Sequence, residues 1–413
     1  MKIEKEYLQL TLPSGFECIV GVLITMTDTF MVSKFGSSTI ATVGAMGVVI
    51  DFMYLVLQSI TVSNNVLVGN LLGKKDTEKM KLTTGTSLLI AIFSSLICIL
   101  LVFSISGILP NLFMVEKSGL IYLYVRLIGV IPNTVLCILS GYQRTLGHNK
   151  RMLNVRLVCF VLNALLDFIF VYLGYGIIRV AIATVIVETI NMSILIYYCK
   201  NVITVKLDKT IAKEELVLIK YNIYERVFKR GSNFALNVIM SRIGTIQYAA
   251  HLIVTQFIGL INNFFHGTGI GTQTMIATAI GSEDVERLSS TKKVINTLNR
   301  KIVFIITFII GILMVTLLPS FLIEKESLIV GYKLLIFVLI DCVLNGFYHH
   351  YSSILRAMKE FKYISKLNLL INVILKLTLA FALSRLCGIY GVWICFIISD
   401  YIMNTFLYKK IDS

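Results

Sequence analysis

The stretches that decide the fold are VGNLLGKKD at residues 68–76 and ATAIGSED at residues 277–284, because each closes one copy of an internal repeat. The first copy spans residues 36–76 and the second spans residues 244–284. Three pairs of landmarks keep the same offset of 208 positions: Gly36 with Gly244, Gly73 with Gly281, and Asp76 with Asp284. Such duplication in a hydrophobic chain is typical of transporters built from two homologous lobes.

The composition places the chain in a lipid bilayer. Hydrophobic residues make up 56% of the 413 positions and charged residues only 15%, whereas soluble domains carry about 25% charged residues. Apolar stretches of about 20 residues recur along the chain, and each must be helical because an open strand would leave backbone amides unpaired in lipid. The predicted spans are 12–33, 42–70, 84–108, 119–140, 155–174, 177–199, 248–277, 302–323, 330–353, 366–384 and 388–407, with a further short span at 232–243.

These spans predict an all-α polytopic membrane protein with two homologous six-helix lobes. The count comes to about 12 transmembrane helices, and the seventh is shortened. We expect an N-terminal six-helix lobe over residues 1–205, a cytoplasmic linker over 206–230, and a C-terminal lobe over 231–413 whose first helix is the shortened one.

The net charge of +15 reflects membrane topology. Most of the 38 Lys and Arg residues fall in alternate loops, which places both termini and the linker in the cytoplasm. The opposite loops hold only Lys34, Lys117, Arg179, Lys325 and Arg385. Anionic lipids are the natural partners of the basic loops, and no aromatic-interleaved basic patch points to nucleic acid. We expect a multi-pass monomer in the inner or plasma membrane of a prokaryote.

The sequence lacks the usual signatures of an enzyme or an ATP-driven pump. The eight cysteines form no CxxC pair, and the five histidines have no metal-binding spacing. A Gly-rich phosphate loop with its lysine is also missing. The pair His349-His350 near Asp341 is the one hint of a membrane-embedded enzyme, and it lies toward the cytoplasmic end of its span. We therefore predict neither enzymatic activity nor a cofactor or resident metal.

Ionisable residues inside predicted spans give the strongest local indication of function, because each costs about 2.5–3.5 kcal/mol on insertion scales. Asp28 lies in GVLITMTDTFMV, and Asn163 and Asp167 lie one helical turn apart in CFVLNALLDFIF. Thr184 and Glu188 are likewise one turn apart in the next span. Together they indicate a polar chamber in the first lobe. Asp51 and Asp400 are more ambiguous intramembrane acids.

The ordered segments LPSGFECIVGVLITMTDTFMVSKFG, VGNLLGKKD, GYQRTLGHNK and NALLDFIFVY resemble the multidrug and toxic compound extrusion (MATE) family, part of a wider flippase-type exporter superfamily. The resemblance implies two six-helix lobes with a central cleft, and export of drugs or other organic compounds against a proton or sodium gradient. It also implies that Asp28, Asn163, Asp167 and Thr184 line a cation-binding pocket in the N-terminal lobe.

These four side chains suit either coupling ion. A low-dielectric chamber disfavours the charged form of a carboxylate, so Asp28 and Asp167 could load and release a proton as a coupled pair. A bound Na⁺ would instead keep both acids ionised among oxygens from Asn163 and Thr184. Aromatic side chains that could contact an organic substrate are Phe52, Tyr54, Phe264 and Phe265.

The second lobe departs from the family pattern in its charges. The sequence from Asn372 to Lys376 repeats the Asn-x-x-x-Asp spacing with lysine in place of the acid. Asp341 and Asn345 are one turn apart and offer a secondary coupling site that we rank below the N-terminal one. In the first lobe, Arg179 stands where the family's GAAxAT motif has glycine.

The seventh helix is the largest departure. Pro13 and Gly36 are 23 positions apart, whereas the matching Gly231 and Gly244 are only 13 apart. The loss of about ten residues removes about 15 Å of helix. The helix either borrows the charged segment 216–230, or the chain is a truncated member with impaired transport.

A lipid-linked saccharide flippase of the same superfamily is the competing function. Such a protein would line its cleft with several arginines and lysines. The intramembrane basic residues are few, namely Arg126, Arg242, Lys333 and Lys376. Drug export is therefore the preferred prediction, with small organic substrates and a coupling cation as partners.

Overall fold

The computed structural model describes residues 2–33, 37–113, 119–172, 177–200, 203–322 and 325–412, and all regular structure within these ranges is helical. The long helices are α1 (Lys2–Ser33), α2 (Ser37–Gly73), α3 (Thr77–Ile105), α5 (Gly119–Thr145), α6 (Asn149–Tyr172), α7 (Ile177–Cys199), α8 (Lys209–Ser241), α9 (Thr245–Gly281), α10 (Val285–Phe321), α11 (Lys325–Ala357) and α13 (Lys376–Asp412). The short elements are a 3₁₀ turn (Ser106–Ile108), α4 (Leu109–Phe113), α12 (Phe361–Leu367) and a π-helical turn (Asn368–Leu375). The predicted all-α class is confirmed.

Nine helical segments in the described ranges are long and apolar enough to cross a membrane. The last of them, Phe361–Asp412, is 52 residues long and is broken at Gly388, where φ is 58° and ψ is −135°. Only glycine adopts such a backbone readily. The break falls at the start of the predicted span 388–407, so this segment supplies two predicted spans. The prediction of a polytopic membrane protein is confirmed.

The internal repeat is reproduced in α2 and α9 and in the start of the helix that follows each. Helices α2 and α9 each contain 37 residues, and both their first and last residues differ by 208 positions. The turns that follow them match as well, because Lys75 and Glu283 both have positive φ, at 59° and 57°. The next helix in each copy is capped by an aspartate, since Asp76 accepts a hydrogen bond from the Lys79 amide and Asp284 one from the Arg287 amide.

The chain divides into two compact units. The N-terminal unit is Phe16–Ile219, and the C-terminal unit combines Met1–Gly15 with Lys220–Ser413. In the N-terminal unit α5 packs against α2, α3 and α7, and in the C-terminal unit α11 packs against α9, α10 and α13. The segment Met1–Gly15, which the sequence analysis places in the first lobe, groups with the C-terminal unit.

Small residues on α9 explain that grouping. A Cβ atom at Gly267 would lie 2.2 Å from the Ser14 carbonyl oxygen, and one at Gly271 would lie 2.8 Å from Thr11 Cγ2. These two glycines, four residues apart, let the backbone of the first turns of α1 approach α9 directly. The contact is extended by Tyr7, whose buried hydroxyl lies 3.4 Å from the Thr272 hydroxyl.

Helix α8 joins the predicted linker to the shortened seventh span without a break. It runs for 33 residues from Lys209 to Ser241, so the apolar run after Gly231 continues a helix that is already formed. The charged segment 216–230 of α8 buries one of its acids. Glu225 pairs with Arg356 and accepts a hydrogen bond from the Tyr348 hydroxyl at 3.1 Å. The end of α8 packs on α13 through a buried cluster of Leu236, Met240, Ala380, Val392 and Cys395.

The beginning of α8 is held against α3 within the N-terminal unit. Glu215 is fully buried and accepts a hydrogen bond from the Ser87 hydroxyl at 2.7 Å. Thr86 donates to the Lys206 carbonyl at 2.9 Å, and a Cβ atom at Gly85 would collide with the Thr204 carbonyl oxygen at 1.8 Å. Burial raises the pKa of Glu215 from 4.5 to about 8, against the opposing effect of the Ser87 hydrogen bond.

We expect Gly267→Ala to destabilise the protein, by about 1–3 kcal/mol, because the added methyl group overpacks the contact with Ser14. Gly259→Ala lies on the same helix, and its Cβ would meet no described atom within 4 Å, so it serves as the control. Thermal unfolding in detergent measures both. Equal melting temperatures for the two variants would show that the close approach of α1 and α9 does not contribute to stability.

Docking of the α8 start is expected to weaken as pH rises. The pKa of Glu215 is about 8 in the docked state, above its ordinary value of 4.5. The proton that Glu215 holds therefore stabilises the docked state fully below about pH 4.5, and this contribution is lost as pH rises through 8. Protease cleavage within 203–208 should therefore be faster at pH 9 than at pH 6. Glu215→Gln should flatten that dependence, while Glu214→Gln, at an exposed neighbouring position, should preserve it. Identical pH profiles in all three proteins would refute the assignment.

Candidate functional site

The N-terminal unit contains a polar cavity of about 500 Å³. Residues from α1, α2, α5, α6 and α7 line it, and both its charges and its aromatic groups come from positions that the sequence places within spans. The charged residues in the lining are Asp28, Asp51, Arg126, Arg156 and Glu188. The lining also includes Tyr54, Tyr122, Asn133 and Thr184.

The structure brings the four primary candidate residues together at one side of this cavity. The Asn163 amide donates to Asp28 Oδ1 at 2.7 Å and to Asp167 Oδ2 at 2.9 Å. The Thr184 hydroxyl lies 3.4 Å from Asp28 Oδ2 and donates to the Val180 carbonyl at 3.1 Å. Three helices therefore contribute to one hydrogen-bonded group.

The carboxylates of Asp28 and Asp167 differ in their access to the cavity. Asp28 lines the cavity, whereas Asp167 is 0% exposed and Asn163 is 1% exposed, so they form the wall behind it. Asn163 Oδ1 and Asp167 Oδ1 are buried and have no hydrogen-bond partner among the described residues. Asp28 is thus the carboxylate of the group that meets the cavity. Behind it, Asp167 Oδ1 retains capacity for a proton, and both unpaired oxygens retain capacity for a cation.

Glu188 forms a second polar group in the same cavity. It accepts a hydrogen bond from the Asn133 amide at 2.9 Å and lies 3.9 Å from Arg126 Nη1. A Cβ atom at Gly129 would lie 2.5 Å from Glu188 Oε2, so a larger residue at this position would displace the Glu188 carboxylate. In the sequence, Arg126 was noted only as one of the few intramembrane basic residues that bear on the flippase alternative. Arg126 and Asn133 are seven residues apart, which places both on one helix face, and this spacing was the signal in the sequence that could have assigned both to one polar group.

Asp341 and Asn345 lie in the C-terminal unit, away from this group. The Asn345 amide donates to Asp341 Oδ2 at 2.9 Å, and both residues line a separate cavity of about 260 Å³. Asp400, the other ambiguous acid, lines the same cavity together with Lys376 and Lys229. The structure therefore places the secondary candidates with two lysines.

The aromatic candidates fall into different environments. Tyr54 lines the cavity of the N-terminal unit, whereas Phe52 on the same helix is 58% exposed. Phe264 and Phe265 are each 1% exposed, and the Phe264 ring lies against Gly15 in the contact of α1 with α9. Of these four, only Tyr54 is placed to meet a molecule in the N-terminal cavity.

The arrangement can neutralise a positive charge in a confined space. Two carboxylates share one amide donor, and a hydroxyl and an amide oxygen lie next to them. A buried carboxylate pair of this kind is unstable when both members are ionised, so a proton or a cation would stabilise it. The Glu188 group adds a third carboxylate that Arg126 already compensates.

Sequence comparison identifies one family. Residues 13–169 and 223–407 match the model of the MatE family. The "Probable multidrug resistance protein NorM" of Thermotoga maritima is 23% identical over 263 residues. That alignment covers 61% of this chain and 55% of the relative, so the chain spans about half the length of that protein. The "Probable multidrug resistance protein YoeA" of Bacillus subtilis is 24% identical over 392 residues, 83% of this chain and 80% of that protein.

Solved structures share the fold. The MATE transporter VcmN of Vibrio cholerae in its bent form has a TM-score of 0.91 at 16% identity, covering 100% of this chain and 96% of that one. A MOP superfamily transporter of Pyrococcus furiosus has a TM-score of 0.88 at 17% identity, covering 99% and 96%. For the latter protein, reverse polarity of the binding pocket suggests a different function. At these identities the likeness concerns the fold alone.

Proposed function

Because the chain belongs to the MatE family, we propose that it is a secondary active antiporter that exports drugs or other organic compounds in exchange for H⁺, with Na⁺ as the alternative ion. Members of this family are transporters, and the chain is accordingly not an enzyme. The proposal places ion coupling in the N-terminal unit, at Asp28, Asn163, Asp167 and Thr184.

The observation that carries the proposal is the amide of Asn163 shared by two carboxylates. It holds Asp28 at 2.7 Å and Asp167 at 2.9 Å, and only Asp28 lines the cavity. A charge that binds in the cavity acts directly on Asp28, and Asp167 responds through the shared amide. The two acids therefore form a single titrating unit with one exposed end.

Exchange follows if one positive charge at a time satisfies this unit. An ionised carboxylate inside a membrane protein is costly without a compensating charge. When no organic cation is present, an ion from solution neutralises the pair. When a cationic substrate occupies the cavity beside Asp28, the ion becomes redundant and is released. Substrate and ion thereby compete for the same negative charge, which is the requirement for antiport.

The hydrogen-bond directions favour a proton over Na⁺. The Asn163 side chain presents N–H donors to both acids, and a donor between two carboxylates stabilises them without attracting a metal cation. Sodium would need the amide oxygen to turn toward the acids, joining oxygens from Thr184 and both carboxylates. Proton coupling uses the arrangement as it stands.

Cationic aromatic compounds are the substrates that best fit the cavity. Its lining combines Tyr54 and Tyr122 with the carboxylates of Asp28, Asp51 and Glu188. Aromatic faces and carboxylates together attract organic cations. The relatives named above are multidrug resistance proteins, and drug export is the activity we carry over to this chain.

The flippase alternative has one supporting observation, which is the presence of basic groups in both cavities. Arg126 and Arg156 line the cavity of the N-terminal unit, and Lys229 and Lys376 line that of the C-terminal unit. Acids accompany them in each case, and Arg126 faces Glu188. Neither cavity therefore offers the uncompensated positive charge that a diphosphate requires, and we retain drug export.

The shortened seventh helix is compatible with a working transporter in this proposal. Helix α8 supplies the missing length from segment 216–230, whose charged Glu225 is buried against Arg356. We place both termini in the cytoplasm of a prokaryotic cell, on the distribution of basic loops, and expect the chain to act as a monomer in the cell membrane.

Asp28→Asn should abolish dye efflux driven by a proton gradient, because it removes the acid that meets the cavity. The matched control Asp51→Asn removes the same charge from the same cavity but leaves the Asn163 contacts intact, so it should weaken dye binding while the remaining efflux still depends on the proton gradient. Everted vesicles with a cationic dye, with and without an ionophore, measure both. Normal efflux by Asp28→Asn would eliminate it from the mechanism.

The two acids should also behave as one unit in that assay. Asp167→Asn and Asn163→Ala should each impair efflux, and adding Asp167→Asn to Asp28→Asn should cause little further loss. Losses that add independently would place the two acids in separate sites.

A further inference from the structure

The C-terminal unit carries a lysine on the helical segment that corresponds to the one bearing Asn163 and Asp167. The positive-φ turns that precede these two segments, at Gly147 and Lys359, are 212 positions apart. On that offset Lys376 lies within one residue of the position of Asn163 and one helical turn before that of the buried acid Asp167. It directly follows the π-helical turn Asn368–Leu375, a distortion that is frequent at functional sites.

Lys376 is fixed in place by charge and by packing. Its ammonium lies 2.9 Å from Asp400 Oδ1, and the two side chains are only 9% and 16% exposed. The Lys376 ammonium also lies 4.9 Å from the centre of the Phe396 ring. The backbone is held as well, because Cys395 Sγ donates to the Lys376 carbonyl at 3.0 Å. The side chain thus presents one positive charge at a defined point of the cavity wall.

A second carboxylate shares this charge. Asp341 is 5% exposed and is held by the Asn345 amide at 2.9 Å. The charges of Asp400, Lys376 and Lys229 all act on it. Asp341, Asp400 and both lysines line the cavity of about 260 Å³. Two buried acids stand close together here, as in the N-terminal unit, but the positive charge they need is already part of the chain.

We propose that the Lys376 ammonium is a tethered cation that takes the place of an exchangeable ion in the C-terminal cavity. The inference rests on the proposed antiport, since it assigns ion exchange to the N-terminal unit alone. An ammonium on a four-carbon stem is a compact point charge with three donors. Because it is covalently attached, its effective concentration at Asp400 far exceeds that of dissolved sodium, so Na⁺ does not displace it.

A purely structural ion pair makes a different prediction. If Lys376 only holds α13 together, its removal lowers stability equally in every salt, because the unpaired acid is left buried. If it replaces an ion, its removal exposes a site that a small cation from solution fills. The dependence of stability on the identity of the salt cation therefore separates the two roles.

The test measures thermal unfolding in detergent with NaCl or choline chloride at equal ionic strength. All proteins carry Asp28→Asn and Asp167→Asn, so that the N-terminal acid pair does not contribute. Lys376→Met should gain a sodium-specific rise in melting temperature of about 2–4 °C, the size expected for about 1 kcal/mol of ligand stabilisation. The parent should show none. Lys333→Met, which removes an exposed lysine of the same unit, should also show none.

The gained site should disappear when its acid is removed. Lys376→Met combined with Asp400→Asn should lose the sodium effect. A sodium effect already present in the parent, one that persists after Asp400→Asn, or none in Lys376→Met would each overturn the proposal.

A smaller variant protects the test against a failure to fold. Lys376→Ala leaves space for a free amine, and its melting temperature should rise with propylammonium chloride relative to choline chloride. A variant that cannot be purified in either sodium or propylammonium would contradict the proposal, because a charge that replaces an ion must be replaceable from solution. These readouts do not involve transport, so loss of antiport activity would refute the proposed function and leave this result intact.

Discussion

The cost of an ionised carboxylate inside the bilayer is the constraint on which the rest of the structure depends. Asp28, Asp167 and Glu188 lie on helices that the sequence places in the membrane, and each is held by an amide or a cation. The amide of Asn163 ties two of them into one unit that is still short of a positive charge. Burial and connection together turn a destabilising feature into a group that a positive charge would stabilise, and the proposed ion-coupled export uses the group in that way.

The two units show how one duplicated frame supports two electrostatic solutions. Helices α2 and α9 have equal length, and the turns and aspartate caps that follow them match. Within this shared frame the N-terminal unit has an acid at position 167, and the C-terminal unit has Lys376 paired with Asp400. The two units therefore differ in charge on helices that correspond. In the proposed mechanism this difference assigns ion coupling to the N-terminal unit.

Sequence reasoning reached the helical class and the repeat because both depend on periodicity along the chain, and it selected Asn163 and Asp167 by their spacing of one helical turn. The grouping of Asp28 and Thr184 with them was implied by the resemblance to the MATE family. It did not reach contacts that depend on how each helix is rotated against distant ones. The pairing of Arg126 with Glu188 and of Lys376 with Asp400 belongs to this kind. The grouping of Met1–Gly15 with α9 depends on two glycines whose role becomes visible only when the facing backbone is known. Whether the seventh helix continues into segment 216–230 was left open in the sequence, because the charged residues of that segment argue against a helix in lipid although the segment can form a helix.

The most direct measurement of the central claim is proton release on substrate binding, without any transport. A cationic dye added to the purified protein in lightly buffered detergent should release protons, reported by a pH indicator, because the dye replaces the positive charge that the Asp28 unit holds. Asp28→Asn combined with Asp167→Asn should bind the dye without releasing protons. Dye binding that releases no proton from the unaltered protein, in sodium-free buffer, or equal release from the double variant, would contradict the account.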